Sequence, residues 1–244
     1  MNRTIVIVPT YNERENIEPL ATMVLGQDEA LHLLVVDDSS PDGTAEAVRR
    51  LQRASDRLHL IVRPGKAGLG TAYVQAFRTA LADGFDRVVT MDGDLSHDPA
   101  HLPDLLRRLE SYDMVIGSRY VSGGKTYNWS FGRRLLSACG NLYARSVLRV
   151  PIRDCSAGFI GYRRRVLEAI PLDGVHSEGY SFLMEMKYWT HNLGFTIDEM
   201  PILFVERSRG RSKISRAILF EALWLVWRLR LTVPRVAARM KGAS

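Results

Sequence analysis

Hydrophobic and polar positions recur with two different periods along the first half of the chain. Short apolar runs rich in β-branched residues are typical of buried strands, and between them apolar residues recur every three or four positions, as in amphipathic helices. The predicted strands are residues 4–8, 31–36, 58–62, 87–91 and 114–116. The predicted helices are residues 13–25, 45–53, 68–82 and 101–109. Because continuously apolar strands must be covered on both faces, this alternation predicts an α/β fold with a Rossmann-like, mainly parallel sheet flanked by helices.

The second half of the chain is less regular. Loops are predicted at residues 120–131, which are rich in Gly, Ser and Tyr, and at residues 207–213, which are basic and contain glycine. Helices are predicted at 133–148, 181–192 and 214–240, the last with Pro234 as a candidate break, and strands at 157–162 and 202–205. The simplest division is one domain over residues 1–213 and an amphipathic helical extension over residues 214–244.

The net charge of +6 is unevenly distributed along the 244 residues. Residues 1–204 contain 23 Lys and Arg against 25 Asp and Glu, whereas residues 205–244 contain ten against two. The net charge is therefore −2 in the body and +8 in the tail. A nucleic-acid-binding protein is disfavoured, because the basic residues are confined to the tail and no nucleic-acid-binding signature is present. Cys139 and Cys155 have neither disulfide nor metal spacing, so we expect reduced thiols in a cytoplasmic protein, and the apolar run at residues 5–8 is too short for a secretory signal.

Carboxylates follow two of the predicted strands. Asp37 and Asp38 come after the second strand, and Asp92-Gly93-Asp94 comes after the fourth. Because ligands of an open parallel sheet bind beyond the carboxyl ends of its strands, we expect both groups to converge on one crevice. Carboxylates suit Mg²⁺ or Mn²⁺, which also bind phosphates, and a glycine between them lets a bulky ligand approach the backbone. The chain has no P-loop motif, and residues 65–70 (GKAGLG) have the wrong spacing for a dinucleotide-binding fingerprint.

These segments carry a family resemblance. Residues 9–13 (PTYNE), 36–44 (VDDSSPDGT) and 92–97 (DGDLSH) resemble motifs of the inverting, family-2 glycosyltransferases with a GT-A-like fold, and most closely those of the polyprenol-phosphate (dolichol-phosphate) mannose synthases. Further agreement comes from residues 117–120 (GSRY), 123–124, 128–129 (NW), 179–183 (GYSFL) and 207–213 (RSRGRSK). The matching segments run from residue 9 to residue 213, and their joint order is more specific than any one motif.

The resemblance implies a role for each matching residue. A divalent metal, Mg²⁺ or Mn²⁺, would be held by Asp92 and Asp94, and Ser96 stands where relatives often have glutamine as a further metal contact. Three residues would meet the acceptor phosphate: Arg119, Arg133 and Ser137. The nucleotide sugar would contact Pro9, Tyr11, Glu13, Val36, Asp37, Asp38 and Gly93, together with the metal-binding aspartates, and Arg207 and Lys213 would close over its phosphates.

The implied reaction is metal-dependent, inverting transfer of mannose from GDP-mannose to a polyprenyl phosphate, with Asp92, Asp94 and Arg119 as its catalytic residues. A metal and basic residues would neutralise the departing diphosphate. A phosphate monoester has a second pKa near about 6 and arrives ionised, so it needs arginines to position it rather than a general base. The sequence leaves open UDP-glucose or another nucleotide sugar as donor and a saccharide as acceptor. A non-catalytic relative is disfavoured by the intact aspartate pair, and no motif indicates a covalent nucleophile.

The C-terminal segment combines apolar residues with tryptophan and arginine. Trp224, Trp227 and several leucines are interrupted or flanked by Arg216, Arg228 and Arg230. This composition is typical of a helix that lies in a membrane interface, although the same helix could instead pack on the catalytic domain. We expect a cytoplasmic protein that is peripheral on the inner face of a membrane, with a partner membrane protein left open.

Overall fold

The computed structural model of the chain describes residues 3–175, 177, 179–206 and 216–242, except for the side chains of residues 180, 216–223, 239, 241 and 242. The strands in these ranges are β1 (Thr4–Thr10), β2 (Leu31–Asp37), β3 (Leu58–Val62), β4 (Arg87–Thr90), β5 (Met114–Ser118), β6 (Lys125–Tyr127), β7 (Ile160–Arg163), β8 (Ile197–Pro201) and β9 (Leu203–Val205). The α-helices are α1 (Arg14–Leu25), α2 (Thr44–Gln52), α3 (Leu69–Ala82), α4 (Leu102–Arg108), α5 (Phe131–Leu148), α6 (Arg164–Ala169), α7 (Tyr180–Leu193) and α8 (Arg216–Gly242). Short 3₁₀ turns lie at Pro99–His101 and Leu172–Gly174.

Seven strands form one sheet in the order β3-β2-β1-β4-β7-β5-β8, and β6 pairs with β9 beside it. Strand β1 is parallel to β2 from the pair Thr4–Leu31 to the pair Thr10–Asp37, and it is parallel to β4 on its other side. The expected mainly parallel sheet is confirmed. Strand β7 is the exception, because it runs antiparallel to both of its neighbours, β4 and β5.

Alternate residues of the central strands serve two separate cores. Ile5 and Ile7 of β1 face a core built with α3, α5, α6, α7 and α8, whereas Val6 and Val8 face a core built with α1, α2 and α4. This division follows from the strand period of two, which sends successive side chains to opposite faces. The sheet is therefore covered on both faces, as its continuously apolar strands predict.

Four elements differ from the sequence prediction. The predicted loop 120–131 contains β6, which pairs with β9, and the predicted strand 157–162 begins only at Ile160. Strand β8 and helix α6 were not predicted. Strand β8 (Ile-Asp-Glu-Met-Pro) is polar because it lies at the edge of the sheet, where one side of the strand has no neighbour to bury it. Helix α6 has only six residues, too few to establish a helical period.

Helix α8 continues through Pro234, so the candidate break does not occur. Proline removes one backbone hydrogen bond, but Val233 and Ala237 on either side of it are buried in the core shared with α5 and α7. Packing of these residues holds the helix together across the proline. Helix α8 is therefore part of the folded body over its described side chains, whatever further role its other face has.

Two glycines give a test of this packing. A Cβ on Gly161 of β7 would overlap the buried Leu105 side chain and lie 2.8 Å from Leu109 Cδ1, whereas a Cβ on Gly140 of α5 would have no described atom within 4 Å. We predict that Gly161→Ala lowers the free energy of unfolding by about 1–3 kcal/mol, because α4 approaches the sheet at this point. Gly140→Ala should raise it by about 0.5–1 kcal/mol through helix propensity. Urea unfolding measures both changes, and equal effects would contradict the assigned packing.

Candidate active site

The end of β2 forms a turn that is held by a buried carboxylate. Asp37 is fully buried, and it accepts hydrogen bonds from Thr10 Oγ1 at 2.9 Å, from Ser40 Oγ at 2.6 Å and from the Ser40 amide at 2.9 Å. The predicted nucleotide contact of Asp37 stays a prediction. Its hydrogen bonds within the protein shape the turn that presents its neighbour, Asp38.

Asp38 is supported by an arginine that sequence reasoning missed. Arg63 follows β3 and is itself buried, with Nε 3.2 Å from Asp38 Oδ1 and with hydrogen bonds to Thr71 Oγ1 and to the Gly68 carbonyl. Burial raises the pKa of Asp38, and the Arg63 guanidinium partly offsets this shift. Asp38 Oδ1 is buried and accepts no hydrogen bond from the described residues, so its contact with Arg63 is an ion pair only.

The other residues expected to bind the nucleotide lie at the ends of β1 and β2. Tyr11 exposes its ring, and Lys66 Nζ lies 4.5 Å from the ring centroid. Val36 is fully buried in β2, next to Asp37. Pro9 lies in β1, two residues before Tyr11. Glu13 accepts a hydrogen bond from Asn16 Nδ2 at 2.7 Å and lies at the start of α1. An exposed aromatic face beside an acceptor carboxylate can stack a flat ring and receive its N–H groups.

Gly93 connects this region with the two aspartates after β4. A Cβ at Gly93 would lie 3.3 Å from Val8 Cγ1, 3.4 Å from Thr10 Cγ2 and 3.5 Å from Glu13 Cγ. The glycine therefore lets the loop that carries Asp92 and Asp94 lie against the end of β1. Both groups of carboxylates meet at the same edge of the sheet, as expected from parallel strands.

We call Asp92, Asp94, Ser96 and His97 the carboxylate cluster. Asp94 Oδ1 accepts a hydrogen bond from the Ser96 amide at 3.0 Å, and the amide of Asp92 donates to His97 Nδ1 at 3.2 Å. Burial lowers the pKa of His97, while Asp92 and Asp94 oppose that shift. His97 is thus a neutral imidazole whose Nδ1 is engaged in holding Asp92, which favours a supporting role over metal ligation.

The carboxylate cluster suits a hard divalent cation that takes part of its coordination from a bound ligand. Ser96 is buried, and its hydroxyl has no hydrogen-bond partner among the described residues. No group of three or more His, Cys, Asp or Glu side chains with metal-binding geometry occurs in the described ranges. The two carboxylates and the Ser96 hydroxyl are oxygen donors of the kind that Mg²⁺ and Mn²⁺ bind, and these ions retain water or phosphate oxygens in their remaining positions.

We call Arg119, Trp129, Arg133 and Ser137 the arginine cluster. Arg119 binds Asp154 through its amide at 3.0 Å, Nε at 2.8 Å and Nη2 at 2.7 Å, and Nη2 also donates to Ser156 Oγ. Its guanidinium carbon lies 5.3 Å from the centroid of the Trp129 ring, and that of Arg133 lies 4.3 Å from the same ring. Trp129 therefore lies against both guanidinium groups and brings the two arginines together.

Three contacts complete the arginine cluster. Arg133 also forms an ion pair with Glu206, and Ser130 caps the helix that carries it by accepting a hydrogen bond from the Arg133 amide. Ser137, one turn further along α5, accepts a hydrogen bond from Tyr120 Oη at 2.7 Å. The structure therefore groups the three residues expected to bind the acceptor phosphate around the loop that follows β5.

The two clusters are adjacent. The rings of His97 and Phe204 lie 5.3 Å apart between centroids, and those of Phe204 and Trp129 lie 5.6 Å apart, both edge to face. The Phe204 ring thus lies between His97, which contacts Asp92, and Trp129, which contacts both arginines. Arg207 and Lys213, which were expected to close over the donor phosphates, lie outside the described residues.

Comparison with known proteins decides the family. Residues 5–170 match the model of "Glycosyl transferase family 2". The chain belongs to this family. The expected resemblance is confirmed, and so is the α/β fold class.

Two relatives are similar over nearly their full length. The chain is 45% identical to a polyprenol monophosphomannose synthase of Mycolicibacterium smegmatis, over 93% of this chain and 88% of that protein. It is 42% identical to an undecaprenyl-phosphate mannosyltransferase of Micrococcus luteus, over 98% of this chain and 97% of that protein. The similarity to both proteins therefore extends beyond residues 5–170, the segment that the family model matches.

Solved structures show the same fold at low identity. A glucosyl-3-phosphoglycerate synthase from Mycobacterium tuberculosis, in complex with Mn²⁺, UDP and phosphoglyceric acid, aligns with a TM-score of 0.70 and 18% identity over 94% of this chain and 79% of that chain. A mannosyltransferase from Pyrobaculum calidifontis, in complex with GDP-Man and Mn²⁺, aligns with a TM-score of 0.58 and 21% identity over 99% of this chain and 74% of that chain. At these identities the likeness concerns the fold.

The metal fit gives the second prediction. Asp94→Asn should weaken Mn²⁺ binding in the presence of GDP by at least about tenfold, because an amide oxygen replaces an anionic ligand. Titration followed by Mn²⁺ paramagnetic resonance measures this affinity. Asp98→Asn is a matched control, since Asp98 caps the 3₁₀ turn at Pro99–His101 and asparagine caps equally well. Equal Mn²⁺ affinity in wild type and Asp94→Asn would contradict the assigned cluster.

Proposed function

We propose that this family-2 transferase moves mannose from GDP-mannose to the phosphate of a polyprenyl phosphate, with a divalent metal and with inversion at the sugar carbon. The observation that carries the proposal is the adjacency of the carboxylate cluster and the arginine cluster across Phe204. One cluster suits a metal-bound diphosphate and the other suits an anionic acceptor. The names of the two relatives supply the chemical identity of lipid and sugar.

On the donor side, the residues divide into those that bind the base and those that bind the diphosphate. Asp38 and the exposed Tyr11 ring would receive the base, and Asp92, Asp94 and Ser96 would hold the metal. When bound, the metal neutralises the charge that develops on the departing diphosphate. His97 keeps the Asp92 backbone in place, and Gly93 leaves room for the donor against β1. The basic segment at residues 207–213 would cover the phosphates.

On the acceptor side, the chemistry requires positioning rather than proton removal. A phosphate monoester is doubly ionised above about pH 6, so its oxygen is already a competent nucleophile. That oxygen forms a bond to C1 of mannose as the bond from C1 to the diphosphate oxygen breaks, which leaves GDP and inverts the configuration. Arg119, Arg133 and Ser137 would hold the phosphate, and the fixed pairing of Arg119 with Asp154 limits how far its guanidinium can move.

The third prediction tests the reaction. Full-length protein incubated with Mn²⁺, a short polyprenyl phosphate and radiolabelled nucleotide sugars should transfer label from GDP-mannose into the organic phase. Transfer should stop when EDTA removes the metal, because the diphosphate then departs without charge neutralisation. Label entering the lipid only from a UDP-sugar would overturn the donor assignment. No label from any nucleotide sugar would overturn the proposed function.

A lipid acceptor requires contact with a membrane, and we propose a docking surface built from α5 and α8. None of the helices in the described ranges has the length and apolarity needed to cross a membrane. On α5, Phe131, Leu135 and Leu142 fall on one side of the helix, and Phe131 is 80% exposed. On α8, which packs against α5, the exposed Trp224, Trp227 and Leu231 share a side as well.

Exposed arginines lie on the same two helices: Arg134 and Arg145 on α5, and Arg228 and Arg235 on α8. An apolar helix face flanked by arginine suits the interface of an anionic leaflet. The opposite side of α8 is buried through Leu225 and Leu229. Helix α8 can therefore be both a helix packed on the catalytic domain and a membrane-interface helix, with one face against the domain and the other available to lipid. We place the protein on the inner face of the membrane, where nucleotide sugars and reduced thiols are found.

The fourth prediction concerns this docking surface. Trp224→Ser/Trp227→Ser and Phe131→Ser/Leu135→Ser should each lower binding to vesicles containing anionic lipid by about tenfold, because each pair removes large apolar side chains from the interface. Co-sedimentation measures the bound fraction. Deletion of the helix is a poor test, since it would also remove the buried Leu225 and Leu229. Met23→Ser on α1 is the control, being an exposed apolar residue on the other face of the sheet. Equal binding by all variants would contradict the proposal.

A further inference from the structure

Helix α7 places a lysine in the interior of the protein. Lys187 is 1% exposed, and its Nζ donates hydrogen bonds to the carbonyl oxygens of Cys155 at 3.0 Å and Ala157 at 2.7 Å. Burial of an ammonium group is costly unless other charges and hydrogen bonds compensate it. Nothing in the reaction described above uses Lys187, and no period or motif in the sequence indicates that this lysine is buried.

Lys187 belongs to a group of four charged side chains that hold residues 153–157. Glu199 of β8 accepts hydrogen bonds from the amides of Arg153 and Asp154 at 2.7 and 2.9 Å. Asp154 is fully buried and binds Arg119, and Lys187 holds the carbonyl groups that follow. The two cations, Arg119 and Lys187, match the two anions, Asp154 and Glu199. Removal of either cation would leave a buried negative charge without full compensation.

The same segment connects the two clusters. It leads into Gly158, whose carbonyl accepts a hydrogen bond from Thr90 Oγ1 at 2.7 Å. A Cβ at Gly158 would lie 3.4 Å from Asp92 Oδ1 and 3.4 Å from His97 Cε1. Ser156 Oγ accepts a hydrogen bond from Arg119 Nη2, and Asn141 Nδ2 bonds both Ser156 Oγ and the Ser137 carbonyl. The position of this segment therefore fixes Arg119 and Ser137 together.

We infer that Lys187 is a positioning residue for the acceptor phosphate: its charge compensates Asp154, so that Arg119 keeps attraction for the incoming anion, and its hydrogen bonds fix residues 155–157 beneath Arg119. This inference rests on the proposed function, in which Arg119 meets the acceptor phosphate. Lys187 does not contact the substrate. Its effect passes through Asp154 and Arg119, and it should concern acceptor affinity rather than donor affinity.

The protonation of Lys187 gives this role a pH signature. Burial lowers the pKa of Lys187 to about 8, with Asp154 opposing the shift. The charged or titratable groups that face it are Asp154, Cys155, Arg119 and Glu199. Burial raises the pKa of Cys155 to about 11, while Arg119 is the main reason that the pKa of Asp154 is lowered despite its burial. Between about pH 7 and about pH 9.5, Lys187 is thus the member of this group expected to change charge.

The fifth prediction follows from loss of that charge. The Kd for farnesyl phosphate, measured by calorimetry with Mn²⁺ and GDP present, should rise about fivefold as the pH increases through about 8, the order expected for one interior charge near a bound anion. In Lys187→Gln, whose amide keeps N–H donors but carries no charge, the Kd should be raised at about pH 7 and should stay flat with pH. Lys125→Gln on the exposed strand β6 is the control for net charge and should follow the wild-type profile.

Binding separates the two proposals from each other. Tight farnesyl phosphate binding with the same pH profile in wild type and Lys187→Gln would overturn the role of Lys187 and leave the proposed function standing. Normal pH-dependent binding without transfer from any nucleotide sugar would overturn the proposed function and support the role of Lys187 in an anion site. No binding by the wild type would overturn both.

A stability measurement checks the protonation itself, without a substrate. The folded protein should lose the Lys187 proton near pH 8, whereas unfolded lysine loses it near about pH 10.4. The unfolded state therefore binds more protons between these values, so this group makes stability rise with pH there. The difference in unfolding free energy between wild type and Lys187→Gln should change over that window. An unchanged difference would show that Lys187 keeps its ordinary pKa and would overturn the pH mechanism.

Discussion

The ion pair between Asp154 and Arg119 is the interaction on which the site depends most. Asp154 is fully buried, and a carboxylate can remain ionised there only if cations and hydrogen bonds replace the water it has lost. Arg119 supplies three of those hydrogen bonds, including one from its own backbone amide. The loop after β5 is therefore tied at both backbone and side chain to the segment before β7. The arginine that is expected to meet the acceptor is thus fixed before any ligand binds.

The antiparallel strand β7 explains how the pair of Arg119 and Asp154 is connected to the carboxylate cluster. Because β7 runs antiparallel between β4 and β5, its first residues lie at the edge where its two neighbours end. The segment before it, residues 153–158, consequently lies between Asp92 after β4 and Arg119 after β5. A parallel strand in this position would begin at the far edge of the sheet and would leave the two clusters unconnected. The departure from parallel order therefore places Gly158 against Asp92 and Asp154 against Arg119.

The parts of the molecule that depend on local patterns can be predicted from the sequence. The strands that precede Asp37, Asp92 and Arg119 follow from apolar runs. The aspartate spacing around Gly93 predicts a metal site without any tertiary information, and that site stays a prediction. Partners such as Arg63 for Asp38, or Lys187 for Cys155 and Ala157, are set by which strands and helices become neighbours. No period or spacing encodes a contact between residues 155 and 187. Asp37 shows the same limit, because its strand-end position predicts a ligand contact but does not indicate that its carboxylate also accepts hydrogen bonds from Ser40.

The distribution of charge in the arginine cluster bears on how an anion could bind there. Arg119 is paired with Asp154, and Arg133 with Glu206, so each guanidinium that could meet a phosphate already has a carboxylate. Such pairing orients a planar guanidinium and reduces the flexibility lost on binding, but it also cancels part of the attraction for a second anion. A dianionic phosphate therefore requires positive charge beyond the two arginines. Lys187 lies behind Asp154, and the basic residues 207–213 follow Glu206 directly in the chain. The basic residues of the tail thus begin, in the sequence, directly after the carboxylate that pairs with Arg133.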